Sequence, residues 1–186
     1  MNALALLPFV LLQLVPSHAP SQPAAESASG AGGLSWSVPK GWMTVPSASQ
    51  MRKVTYKIPA AAGDAEPGEM AVFFFGQGQG GSVESNVERW MGQFESDKGA
   101  PPAARPKVLK IGTIAVTLVS ASGTYASGMP GTGQTVDKRG WALYGAIAQG
   151  PQGPVFFKLV GPKKTIERSS GELDALVKSL KPSQRA

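Results

Sequence analysis

The sequence predicts an α+β fold, a mostly antiparallel β-sheet with helices on both faces. Three observations predict it: strand-like runs follow one another with hairpin turns between most of them, one run is apolar on both faces, and two stretches carry an apolar stripe at helical spacing. A doubly wound nucleotide fold would need helices alternating with strands throughout, and that alternation is missing.

Taken in order, "LSWSVPKGWMTVP" (34–46) is an edge strand that leads into a loop at Pro39-Lys40-Gly41. "RKVTYKIP" (52–59) has period two, with Val54, Tyr56 and Ile58 on one face and Thr55 and Lys57 on the other, and Pro59 ends it. In "EMAVFFF" (69–75) Met70, Val72 and Phe74 alternate with Ala71, Phe73 and Phe75, so neither face is polar. Such a strand must be central and covered on both sides. One cover is the helix that follows: Val83, Val87, Trp90, Met91 and Phe94 form one stripe, Ser82 is its expected N-cap, and Glu84 and Glu88 suit the positive end of its dipole.

Beyond the break "KGAPPAARP", the runs "KVLKI" and "IAVTLVSASGTY" are joined by Gly112-Thr113, which suits a type II′ turn. "GWALYGAIAQ" and "PVFFKLVG" flank "GPQG", where Pro151 fits the second position of a turn. The last stretch places Ile166, Leu173, Leu176, Val177 and Leu180 along a helical stripe. Gly171 costs about 1 kcal/mol relative to alanine and Ser169 with Glu172 has capping-box spacing, so two short helices remain an alternative to one.

The chain of 186 residues has room for one ordinary domain, expected at 34–181. Residues 1–19 read as a signal peptide, because the apolar run Leu4 to Val15 is short for a membrane span; residues 20–33, rich in Pro, Ala, Ser and Gly, read as a disordered linker. The expected location is exported, periplasmic or secreted. With no cysteine there is no disulfide framework, no thiol-based zinc or redox site and no cysteine-linked lipid anchor. The one histidine, His18, falls in the leader, which removes imidazole from nucleophilic and general-base chemistry in the domain. No cofactor and no metal are expected, and no catalytic residue is assigned.

The net charge is +6 and every Lys and Arg lies at or beyond Lys40, yet the basic residues come in pairs at most, such as Arg52-Lys53 and Lys138-Arg139. Charge this scattered argues against nucleic acid and for weak attraction to anionic envelope material. Gly76, Gly78 and Gly81 have GxGxxG spacing after a strand, but no βαβ unit follows, so the loop is expected to turn a corner and not to hold a phosphate. The carboxylates sit mostly on solvent faces or loops; "DAEPGE" (64–69) lacks the spacing of a calcium loop. Trp90 and Trp141 fall on core faces, whereas Trp36 and Trp42 fit either core or surface. Candidate interaction loops are Gly76, Gly78, Gln79 and Gly81 with Met129 and Gly131, where Met129 offers an adaptable apolar contact.

The succession "WSVPKGW", "MRKVTY", "FFGQGQGGSVESNVERW", "SGTY", "GPVFFKLVGPKKT" and "LDALVKSL" resembles a group of small exported bacterial proteins of uncharacterised function, over residues 34 to 181. The element order also resembles the PsbP-like sandwich of photosystem II extrinsic subunits. That resemblance implies an antiparallel sheet between helices, used for binding other proteins; the histidine and acidic metal ligands of some photosystem members have no counterpart here. The expected function is therefore a non-enzymatic exported binding or scaffold module for a protein or anionic envelope component. The alternative is a carboxylate-dependent hydrolase or lyase acting on an envelope substrate, which requires two carboxyl groups converging in a pocket.

Overall fold

The computed structural model describes residues 28–47, 49–96, 99–128 and 135–183. The expected signal peptide (1–19), the first part of the expected linker and the loop residues Met129 and Gly131 lie outside them. In chain order the elements are β1 (Ala28–Ala31), β2 (Leu34–Ser37), β3 (Met43–Val45), β4 (Arg52–Ile58), β5 (Gly68–Phe74), α1 (Val83–Met91), β6 (Phe94–Glu95), β7 (Lys107–Ile111), β8 (Ile114–Gly128), β9 (Thr135–Gly150), β10 (Gly153–Pro162), α2 (Lys163–Lys178) and β11 (Lys181–Pro182).

An eight-stranded sheet runs in the order β3-β4-β5-β10-β9-β8-β6, with β7 also paired to β8, and every pairing is antiparallel. Both anticipated hairpins form. Gly112 takes φ +58 at the first turn position between Ile111 and Ile114, and Gly150 pairs with Gly153 across Pro151-Gln152. The doubly apolar run becomes β5, held between β4 and β10.

One helix covers each face, and the alternation of β10 shows how. Val155, Phe157 and Leu159 are fully buried in the core that α2 closes with Ile166, Leu173 and Leu176. Phe156 and Val160 point the other way, into the core that α1 closes with Val87, Trp90 and Met91. The α2 stripe is one continuous helix, because Gly171 faces open space and its missing side chain leaves no gap in the packing. Pro162 provides no side-chain cap, and Asp64 replaces it from the β4–β5 loop by accepting from Thr165 N (2.9 Å) and Thr165 Oγ1 (2.7 Å).

Two expectations need correction. The ordered chain begins before residue 34: β1 occupies Ala28–Ala31 inside the stretch read as a disordered linker, and with β2 and β11 it makes a second, three-stranded sheet. The stretch Ala28 to Gly33 has no large apolar side chain to signal burial, but its backbone is bonded: Gly32 O accepts from Gln152 N (3.1 Å) and Gly33 O from Ser183 N (2.9 Å). A Cβ on Gly32 would stand 2.6 Å from Val155, so smallness is what the position demands. Second, 34–46 is two strands in different sheets. Both of its tryptophans are buried, with Trp36 Nε1 donating to Tyr56 Oη (3.3 Å) and Trp42 Nε1 to Glu172 Oε2 (2.8 Å).

Candidate anion-binding cleft

On the α1 face, β10 reads Phe156, Lys158, Val160, so one lysine interrupts an apolar row on an internal strand. Its register partners are Ala71 on β5 and Gly145 on β9. Ala71 lines a depression beside the lysine, whereas Gly145 makes room for Trp90 of α1, which lies so close that a Cβ there would sit 2.4 Å from the indole. The depression has two lobes, of about 350 Å³ toward Trp141 and Glu69 and about 190 Å³ beneath α1. Lys158 and Phe73 line both.

Three cations are seated on three aromatic rings. Arg52 lies over Phe73 (5.2 Å to the ring centre), Lys138 over Trp141 (4.2 Å) and Lys158 over Tyr125 (5.4 Å), while Tyr125 and Trp141 stack at 5.7 Å. Two of these cations also hold a carboxylate: Arg52 Nη1 meets Glu69 Oε1 at 2.9 Å and Lys138 Nζ meets Glu66 Oε2 at 2.5 Å. Lys158 does not. Its ammonium donates to the neutral oxygens Gln93 Oε1 (2.5 Å) and Tyr125 Oη (3.5 Å).

Counted over both lobes, Arg52, Lys57, Arg89, Lys138 and Lys158 face Glu66 and Glu69, five cations against two carboxylates. Burial, and then the neighbouring charges of Arg52 and Arg89, lower the Lys158 pKa from 10.5 to about 8, with Glu69 opposing weakly. Burial, and then Glu69, raise the Tyr125 phenol above its ordinary value, so it remains a hydrogen-bond donor. A partly desolvated cation with no carboxylate of its own, surrounded by other cations, is an arrangement that an incoming anion relieves.

The glycine corner holds the roof of this cleft without entering it. Gly76, Gly78, Gly80 and Gly81 all take positive φ, and a Cβ on Gly80 would fall 2.9 Å from Phe75. Ser82 caps α1 as expected, accepting from Ser85 N at 3.1 Å. Buried Asn86 donates to Gly80 O (2.7 Å) and Ser82 O (2.8 Å) and accepts from Arg89, tying the corner to a cation of the cleft. Because β5 is antiparallel to both neighbours, the βαβ unit of a dinucleotide site does not form. Gly76, Gly78, Gln79 and Gly81 line neither lobe.

Among the described residues, no group of three or more His, Asp or Glu side chains gathers in a way that could hold a metal ion, and no helix is long and apolar enough to cross a membrane. Trp90 is core as expected, but Trp141 is only partly buried, because it lines the cleft wall, where it stacks on Tyr125 and carries Lys138 over its ring. The basic residues, scattered along the chain, converge here because β4, β10 and β9 lie in one sheet, with only β5 between β4 and β10, and α1 covers that face. The one local signal of the site is the lysine inside "PVFFKLVG".

Neither a protein-family model nor a curated protein matches the chain. Among solved structures, cyanobacterial PsbP (CyanoP) from Synechocystis sp. PCC 6803 is similar over 90% of this chain and 98% of its own, with 11% identity and a TM-score of 0.53. A Pseudomonas aeruginosa protein of unknown function, described as a putative regulator, matches 77% of this chain and 99% of its own at 11% identity and a TM-score of 0.47. The chain has a PsbP-like α+β fold.

Proposed function

We propose that the protein is a non-enzymatic, exported binding module whose cleft under α1 receives an anionic group of its partner on Lys158. The observation that carries this reading is the lysine itself: a cation on an internal strand whose hydrogen-bond partners are neutral, while each nearby carboxylate is engaged by another cation. Arg52 and Lys138 then complete the site by exchanging Glu69 and Glu66 for the ligand, since exposed ion pairs contribute only about 0–1 kcal/mol and open readily. The alternative of a carboxylate-dependent hydrolase or lyase finds less support, because Glu66 and Glu69 border the cleft bound to cations and not turned toward a shared reaction centre. Export rests on the apolar run Leu4 to Val15.

Titration of ¹⁵N-labelled protein with citrate and with inorganic phosphate tests the reading. Shifts are expected at Lys158, Ala71 and Gly145, with affinity falling as pH rises above about 8 because the lysine must then take up a proton to hold the anion. Lys158→Met should weaken binding at least about tenfold. Equal titration of wild type and variant, or shifts confined to other faces, would sink the proposal.

A further inference from the structure

We propose that the opposite face of the sheet carries a second docking site, a groove between the β7–β8 hairpin and α2 that receives an extended partner segment with alternating acidic and apolar side chains. Two hollows, of about 530 and 560 Å³, meet there at Ser120 and Tyr144. Together they follow α2 from Glu167 to Lys178, about 16 Å of helix at 1.5 Å per residue, which is the reach of about five residues of extended chain.

The end near the hairpin has an apolar floor of Leu109, Ile111, Leu118 and Val177. Its polar rim carries Arg105, Lys107, Lys110 and Lys178, all exposed, against one carboxylate, Asp174. Asp174 is already occupied, because Tyr144 Oη donates to it at 2.6 Å. Burial and then this hydrogen bond push the tyrosine pKa above its ordinary range, so the phenol keeps its proton and the pair stays closed. Counted over both hollows, four cations face two carboxylates, Asp174 and Glu167, and the surplus of cations over a greasy floor is at the hairpin end.

An extended chain turns successive side chains to opposite sides, so alternate apolar residues would reach the floor while the acidic ones between them lean toward the rim. A single small anion would leave that floor uncovered. The shape thus separates this groove from the cleft under α1, which is compact and suited to one charged group. The two sites lie on opposite faces of one sheet, so both can be filled at once and the protein can bridge two partners.

Fluorescence anisotropy on the full chain, at about 50 mM salt so that surface charge is only partly screened, tests the groove. The probes are the labelled hexapeptides (Glu-Leu)3, (Gln-Leu)3 and (Glu-Ser)3. The alternating acidic-apolar peptide is expected to bind roughly tenfold or more tightly than either control. The double change Lys107→Glu with Lys110→Glu, at exposed positions of an edge strand, should abolish that preference, whereas Lys158→Met should leave it intact. Equal binding of the three peptides, no binding by any, or loss on Lys158→Met with the double variant unaffected would each overturn the proposal; only the last would point to the cleft instead.

Discussion

The two faces of β10 solve different problems with the same strand. Toward α2, Val155, Phe157 and Leu159 are each 0% exposed and make a continuous apolar core. Toward α1, the row Phe156, Lys158, Val160 is broken at its middle by a cation that costs stability. The difference teaches where to look for function: one face is filled for stability, and the other departs from that solution at a single position of β10 that borders an open depression.

The largest effect that would sharpen this contrast is Phe157→Ala. It removes a fully buried ring from the α2 face and should cost about 3–5 kcal/mol in urea unfolding, without selectively changing the anion affinity of whatever remains folded. On the other face the sign reverses. Lys158→Met replaces a desolvated ammonium by an apolar stem of similar length and should raise stability near neutral pH by on the order of 2–3 kcal/mol, from the difference between a pKa of 10.5 in the unfolded chain and about 8 in the fold.

The pH dependence follows from the same pair of values. Between about 8 and 10.5 the unfolded chain holds more protons at this lysine than the native one does, so wild-type stability rises with pH across that window. The advantage of Lys158→Met is therefore full below about pH 8 and fades by about 10.5; a stability difference that stays flat over that range would break the comparison. Smaller effects come from the roof. Gly145→Ala pushes a methyl into Trp90 and should cost about 1–3 kcal/mol while displacing α1 over the cleft, which would appear as loss of both stability and anion affinity. Ser82→Ala removes the α1 cap and should lower unfolding stability by about 1 kcal/mol, with shifts of backbone resonances confined to the α1 side.

Most of the fold was legible because it is written in local patterns. Alternation marked β4, the doubly apolar run marked β5 as internal, glycine chemistry marked both hairpins, and Ser82 marked the start of α1. Short pieces such as β1, β3, β6 and β11 carried no such pattern, because they are too short for a side-chain period and are held by backbone pairing, β1 and β3 to the next strand and β6 and β11 to strands more distant in the chain. The candidate site was not anticipated from the sequence; its one local mark is Lys158 inside the apolar run "PVFFKLVG". The glycine corner, expected to turn the chain and not to hold a phosphate, also orients Asn86 and through it Arg89.

The sequence alone determined the α+β class, the two apolar faces of the sheet, the absence of thiols and the lack of imidazole beyond His18, because composition and nearest-neighbour spacing are complete in one dimension. Only the tertiary structure decided that Arg52, Lys138 and Lys158 share a cleft and that each rests on an aromatic ring. Which charges meet depends on strand order and register, and those are settled by pairing between residues far apart in the chain, such as Lys158 with Ala71.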